Sequence, residues 1–379
     1  MAHGTEGSRG GATIRTALVG VGNCASSLVQ GVAAYRGRRP DDAQGLMHPE
    51  IGGWRPGDIE VVAAFDVDAR KVGRDLSEAV FAPPNCTMAL VDELPATGVI
   101  VRRGPVLDGV AEHMRDHPPE RSFVLCEGPE PDAAEVIGVL QASRAEVMVL
   151  YLPVGSEAAA RFYARCAVEA GVALVNAIPV FLASDPDVAA AFAARGLPLI
   201  GDDVKSQLGA TITHRALAAL CRQRGVQIDR TYQLNTGGNT DFLNMLDRQR
   251  LASKKRSKTE AVTSAVGTPL AADDVHVGPS DYVPWLRDKK VCFLRVEGRL
   301  FGDVPVELEL RLAVEDSPNS AGVIVDAVRC ARLARDRGEG GVLEGPSAAF
   351  CKRPPRQHPD VEAHALLERF LQGSVPSVS

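Results

Sequence analysis

The sequence predicts an α/β protein: a doubly wound parallel sheet, then a β-rich stretch, then a return to α/β. Three observations carry this expectation. Short apolar runs alternate with helical patterns as far as residue 200. A Gly20-Val21-Gly22 turn breaks the first of those runs just before a helix. Beyond residue 225 the pattern changes to period two, most clearly over Val304–Val314.

Taken in order, Thr13–Val19 is a buried strand and Cys24–Tyr35 a helix, with Ala25, Leu28, Val29 and Val32 at helical spacing. Arg36–Pro56, rich in Gly, Pro and charge, reads as an insertion or flap. Ile59–Phe65 is a second buried strand, ending in Asp66. Glu146–Leu152 and Val172–Asn176 are further strands with the helix Ser156–Ala170 between them; the helix Asp187–Arg195 then leads to the strand Leu197–Ile200. Tyr232–Leu234 and Val291–Val296 are strand-like. In Val304–Val314, Val306, Leu308, Leu310, Leu312 and Val314 share one face and Glu307, Glu309 and Arg311 the other, as in a half-exposed antiparallel strand. Asp316-Ser317-Pro318 opens a helix that ends near Gly338.

The 379 residues are 45% hydrophobic and 24% charged, with a net charge of −6 and a mean hydropathy of −0.03. That profile excludes wholesale disorder and argues against a general nucleic-acid binder. No apolar run approaches the roughly 18 residues of a membrane span, and the polar first eleven residues lack the apolar core of a signal peptide. The eight cysteines include no C-x-x-C pair and read as reduced core residues of a cytoplasmic protein. The histidines show no metal-ligand spacing, so any metal is unknown. Only eight of the 42 basic residues are lysine, yet three fall in the string SKKRSK, Lys254, Lys255 and Lys258. Lysine can be tuned as an acid or base where arginine cannot. A solvated basic turn is the alternative.

Three further strings carry chemistry. Gly20-x-Gly22-x-x-Ala25, between strand and helix, suits a pyrophosphate at a helix N-terminus. Asp66 at the end of the second strand suits ribose hydroxyls, favouring NAD over NADP, and the Arg36–Pro56 insertion explains its late arrival 44 residues after Gly22. Gly201–Gln207 sets Asp202 and Asp203 beside Lys205 and leads into a helix start with Ser206, Gln207, Gly209 and Thr211. It reads as a phosphate site, or as an N-cap with a surface ion pair. Asn235–Asp241, with paired glycines among amides, reads as close backbone approach to a ligand, or as a tight turn.

The strings VGVGNCASSLVQG, YLPVGSE, VNAIPVF, GDDVKSQLGATITHR, NTGGNTDFLNML, SKKRSK and EDSPNSAGV together resemble the myo-inositol-1-phosphate synthase family in its shorter bacterial form, from about residue 13 to 355. The resemblance implies a Rossmann-type NAD-binding domain (12–205 and 312–365) interrupted by an α+β catalytic and tetramerisation domain (206–311), in a cytoplasmic homotetramer. It implies the conversion of glucose 6-phosphate to inositol phosphate on a bound NAD that is reduced and reoxidised within each cycle: C5 oxidation, C6 enolate formation, aldol closure onto C1 and re-reduction. Lys254, Lys258 and Lys352 then fall on catalytic lysines, with Asp203, Asp241 and Asp316 as partner acids. The cofactor positions are Gly20, Gly22, Asn23, Cys24, Asp66, Pro153, Ser156, Asp202, Ser317 and Ala321. Lys205, Ser206, Gln207 and Thr211 fall in the phosphate region, and Asn235, Thr236, Gly238, Asn239 and Thr240 along the substrate. One family lysine, expected in the strand before the alternating one, has no evident counterpart; Arg295 and Arg299 stand nearby. Thr236 and Thr240 replace apolar residues, which keeps open a branch of the family in carbocyclic-nucleoside pathways that closes fructose 6-phosphate to a five-membered cyclitol phosphate. An ordinary NAD-dependent dehydrogenase and a non-catalytic NAD sensor are the readings from other classes.

Overall fold

The computed structural model describes residues 11–247, 252–266 and 270–373, excepting the side chains of residues 252–256, 258, 279 and 280. The first sheet has seven parallel strands: β1 (Ile14–Val19), β2 (Ile59–Asp66), β3 (Arg102–Arg103), β4 (Val147–Leu150), β5 (Ala173–Asn176), β6 (Pro198–Ile200) and β11 (Gly341–Val342), in the order β11-β6-β5-β4-β1-β2-β3. Strands β4, β5 and β6 are buried along their whole length, which is why they appear in the sequence as uninterrupted apolar runs. Helices α1 (Asn23–Tyr35) and α9 (Asp316–Arg337) cover one face, with α10 (Glu344–Phe350) and α11 (Asp360–Gln372) beside them. Helices α3 (Ala133–Ala142), α4 (Glu157–Ala170) and α5 (Pro186–Ala194) cover the other. A short α2 (Leu76–Ala79) lies between β2 and β3. The chain order reverses between β1 and β4, so a crevice opens there at the carboxyl ends of the strands.

The second sheet runs β10-β9-β7-β8, built from β7 (Gln227–Gly237), β8 (Val275–Tyr282), β9 (Lys289–Arg299) and β10 (Pro305–Glu315). Strands β9 and β10 pair antiparallel over eleven residues, and β7 joins β9 antiparallel and β8 parallel. Helices α6 (Ala210–Gln223) and α8 (Ala252–Val266) pack on one face, against Leu294, Val296, Leu308, Leu310 and Leu312. The opposite face leaves Leu234 and Phe293 exposed. Between β7 and α8 stands the short α7 (Thr240–Asn244). Strand β10 lies at the sheet edge with Val306, Leu308, Leu310, Leu312 and Val314 half-buried and Glu307, Glu309 and Arg311 exposed, as the alternation predicts. No helix among the described residues is long and apolar enough to cross a membrane.

Two expectations change. The SKKRSK string lies in α8 rather than in a turn. The Arg36–Pro56 segment is packed, not a flap: Ala43, Ile51 and Trp54 are buried, and the Arg329 guanidinium of α9 donates to the carbonyl oxygens of His48, Pro49 and Trp54. Its glycines and prolines shape a strap whose partners lie some 280 residues away.

Candidate active site

A single cavity runs from the carboxyl ends of β1 and β2 to the inner face of the second sheet. Its first end is shaped by the glycine turn. Gly20 has φ +92°, and a Cβ there would stand 2.6 Å from the Tyr151 carbonyl oxygen. A Cβ on Gly22 would meet nothing within 4 Å, leaving a hollow in front of the uncapped N-terminus of α1. Asp66 closes this hollow, its carboxylate accepting from the amides of Val21 at 2.7 Å and of Val67 and Asp68 at 2.8 Å. Beneath the turn, the buried Lys71 ammonium donates to the Val21 carbonyl at 2.8 Å and to Asn85 at 2.9 Å; burial lowers its pKa. Asn23 accepts from the amides of Cys86 and Thr87, tying the 85–87 loop to α1. Burial pushes the Cys24 thiol up to about 12, so it stays neutral beside Ser317. Pro153 lines the cavity, while Ser156 is buried behind it and donates to the Pro153 carbonyl. Free helix amides, an open glycine cradle and a carboxylate at the end of β2 fit a dinucleotide.

The second end is a cluster of ammonium and carboxylate groups. The segment 202–205 pairs antiparallel with 350–353: Lys352 N donates to Asp203 O at 2.7 Å and Lys205 N to Phe350 O at 2.7 Å. This pairing, with Asp203 in the left-handed region at φ +62°, brings the Lys352 ammonium 2.7 Å from the Asp203 carboxylate. Ser257 of α8 donates to the other Asp203 oxygen at 2.7 Å. Helix α8 thus reaches the cluster within one turn of positions 254 and 258; the side chains of Lys254 and Lys258 lie outside the described residues. Asp241 lines the cavity from the first turn of α7, which Asn239 caps by accepting from the amides of Asp241 and Phe242.

Two groups escaped the sequence reading. Lys290, in β9, donates to Asp316 at 3.0 Å and lines the cavity. Burial works against its charge, but Asp316, Asp241 and Asp203 outweigh burial and raise its pKa above the ordinary lysine value. It occupies the strand in which the missing family lysine was sought. Arg295 and Arg299 instead form surface ion pairs, the first with Glu297, Glu307 and Glu309, the second with Asp229 and Asp303. The signal was Lys290 itself, one of eight lysines in an arginine-rich chain, masked by Lys289 at what looked like a strand end. Asp288 is the other. It is buried, accepts from Asn239 Nδ2 at 2.9 Å and Ser317 Oγ at 2.8 Å, and is pushed up to about 6 by burial and by Asp316.

Of the expected phosphate group, Ser206 and Thr211 line the cavity at the N-terminus of α6, which has no side-chain cap. Lys205 and Gln207 do not, because their side chains leave the chain on the side away from Ser206 and are held by other partners. Lys205 donates to the Ala348 carbonyl at 2.9 Å, and burial pushes its pKa down to about 8. Gln207 donates to the Gly45 carbonyl on the far side of α9. Asp202 is likewise turned away. Fully buried and pushed up to about 6 by burial, it accepts from Asn176 and from the amides of Ala183 and Ser184. Ala321 belongs to the core around α1 and α9. On β7, Gln233 and Asn235 face the cavity, whereas Thr236, one residue out of phase, lies outside its lining; Asn239 and Thr240 are inside. Gly237 and Gly238 make room for the protein itself: added Cβ atoms would strike the Phe242 ring at 2.5 Å and the Val283 carbonyl at 2.4 Å.

The family model for myo-inositol-1-phosphate synthase matches residues 209–317. The inositol-3-phosphate synthase of Mycolicibacterium smegmatis is 55% identical over 365 residues, 95% of this chain and 98% of the relative. The enzyme of the same name from Corynebacterium glutamicum is 54% identical over 368 residues, again 95% and 98%. Among solved structures, the crystal structure of Ari2 is 38% identical with a TM-score of 0.78, covering 95% of this chain and 98% of that one. With its glycine cradle and lysine–aspartate cluster at opposite ends of one cavity, and at this identity over nearly its whole length, the chain belongs to the myo-inositol-1-phosphate synthase family and is an isomerase-type enzyme.

Proposed function

We propose that this enzyme cyclises glucose 6-phosphate to inositol phosphate with NAD as a resident cofactor. The observation that carries the proposal is one cavity whose glycine cradle and Asp66 face a cluster of Lys290, Lys352, Asp203, Asp241 and Asp316. The inositol-3-phosphate synthases at 55% identity support glucose 6-phosphate as the substrate. Gly20, Gly22 and the N-terminus of α1 would hold the pyrophosphate, and Asp66 a ribose. When bound, NAD supplies reversible hydride acceptance at C5, with no net redox change.

The chain's own residues must then move a proton at C6, hold negative charge on the C5 and C1 oxygens, and anchor the phosphate. Lys290 is kept an ammonium by three carboxylates, the state that stabilises an oxyanion. Lys352, oriented by Asp203 and through it by Ser257, is placed to exchange a proton with the substrate. Lys254 and Lys258 are assigned as the remaining lysines, on a helix that reaches the cluster. The N-terminus of α6, with Ser206 and Thr211, is the phosphate anchor. The open face of the second sheet, with Leu234 and Phe293 exposed, is the surface proposed for a homotetramer.

Fructose 6-phosphate is the second reading, now on narrower ground. Of the two threonines that favoured it, only Thr240 lines the cavity. Supplying purified enzyme with NAD and each sugar phosphate in turn decides the matter, with products identified by phosphorus NMR and absorbance followed at 340 nm. Inositol phosphate from glucose 6-phosphate without NADH accumulation is the expected result. NADH release matching sugar loss identifies a dehydrogenase instead.

A further inference from the structure

Three buried polar atoms with no partner among the described residues belong to neighbouring side chains: His214 Nδ1, Gln233 Oε1 and Asn235 Nδ2. His214 stands on α6; Gln233 and Asn235 are neighbours on the inner face of β7, and both line the cavity. All three residues are at most 2% exposed. Buried polar atoms are rarely left unpaired, so three together call for an assignment of protons that satisfies them.

Thr231 fixes that assignment from one end. Its Oγ1 lies 2.6 Å from the Arg295 carbonyl oxygen and 2.8 Å from His214 Nε2. The hydroxyl has one proton and a carbonyl can only accept, so the proton goes to Arg295 and His214 Nε2 must donate to Thr231. Burial pushes the imidazole down to about 4, so at neutral pH its single proton is the one on Nε2. Nδ1 is then a bare lone pair, and Gln233 is the polar side chain beside it. The two ends of a carboxamide have the same shape, and partners decide which is which. Turned to meet the lone pair, Gln233 donates its NH2 to His214 and directs Oε1 toward Asn235, whose facing amide atom is 3.5 Å away. Asn235 turns in the same sense and donates to Gln233. Each orphaned position then has a partner or a defined polarity, and the remaining atom of Asn235 is an oxygen.

We infer that His214 and Gln233 are positioning residues that orient Asn235 as a fixed hydrogen-bond acceptor for a hydroxyl of the substrate. The inference rests on the cyclase reading for the owner of that hydroxyl, a sugar phosphate. A fixed acceptor favours an alcohol at the carbon it faces and repels a carbonyl there, which makes the row a specificity determinant.

The test uses the full-length enzyme labelled with ¹⁵N-histidine, with the His214 signals assigned by their loss in H214Q. At neutral pH His214 is expected to carry its proton on Nε2 and none on Nδ1; a protonated Nδ1 overturns the relay, whatever the enzyme's activity. Kinetics give the second readout. H214L is expected to raise KM for glucose 6-phosphate about tenfold with a much smaller change in kcat, the loss of one hydrogen bond to bound substrate. H214Q, whose amide can donate to Thr231 and accept from Gln233, is expected to recover KM to within about twofold of the parent. Equal KM values for the two variants overturn the positioning role. A parent enzyme that does not cyclise the sugar overturns the functional reading instead, and the tautomer still judges the relay.

Discussion

Replacing Lys290 with methionine keeps the length of the side chain and removes one ammonium from the centre of the site. Lys290 is 3.0 Å from Asp316 and is held charged by Asp241 and Asp203 as well. A unit charge about 4 Å from a developing oxyanion is worth roughly 4 kcal/mol at an effective dielectric near 20. Loss of one oxyanion donor in other enzymes lowers kcat by about 10²- to 10³-fold. The two scales agree, and K290M is expected to lose kcat by that factor with NAD affinity nearly unchanged, since the glycine cradle is at the other end of the cavity. The variant also strips Asp316 of its ammonium. With both side chains 21% exposed, water compensates in part, so a cost of about 1–3 kcal/mol in stability is expected. Product formation at saturating NAD, calorimetric NAD binding and a thermal melt separate these effects. Lys289→Met is the control, because Lys289 is exposed on the opposite face of β9. K290M retaining more than about a tenth of kcat, or K289M falling equally far, would refute the assigned role.

The two glycines of the turn should fail differently. Gly20→Ala, at φ +92° and against the Tyr151 carbonyl, should lower stability by about 1–3 kcal/mol. Gly22→Val should melt near the parent yet weaken NAD binding about tenfold or more in a titration, since its side chain enters the open cradle. Lys205 makes stability depend on alkaline pH. Its folded pKa of about 8 lies below the ordinary lysine value of 10.5, so the unfolded chain holds more protons between those values. Stability relative to Lys205→Met should therefore rise from about pH 8 towards 10.5, by on the order of 3 kcal/mol; parallel melting curves for the two proteins across that range would contradict this. Thr240→Met should change the ratio of kcat/KM for glucose 6-phosphate over fructose 6-phosphate, and Thr236→Leu, outside the cavity, should leave it unchanged. A side-by-side assay of both sugars decides it.

The parallel sheet was legible because strands buried on both faces must be apolar throughout. Strand β7 reads in the sequence as three residues rather than eleven because its buried face carries Thr231, Gln233 and Asn235, polar side chains that erase the apolar period, the last two lining the cavity. Helix α8 is hidden similarly, because the buried apolar residues described for it, Ala261, Val262, Ala265 and Val266, all fall in its second half. Three of the misplaced residues share one cause. Lys205, Gln207 and Thr236 lie in extended segments, where composition says that one parity faces the ligand but not which. Lys290 was overlooked for the same reason: its exposed neighbour Lys289 set the reading for both. The packed strap at 36–56 depends on Arg329, far away in sequence, and no local pattern announces such a partner.

The pairing of segment 202–205 with 350–353 also has a consequence in time. Asp203 and Lys352 are 149 residues apart, so during synthesis at about 5–20 residues per second the carboxylate precedes its lysine by roughly 7 to 30 s. In that interval the ribosome has already delivered the strands that form the glycine cradle, and then the whole second sheet. A nascent chain therefore acquires the parts of its nucleotide pocket well before its chemistry. Only when the last stretch folds back does the charged end close, so an unfinished chain has a cradle without a completed centre of reaction.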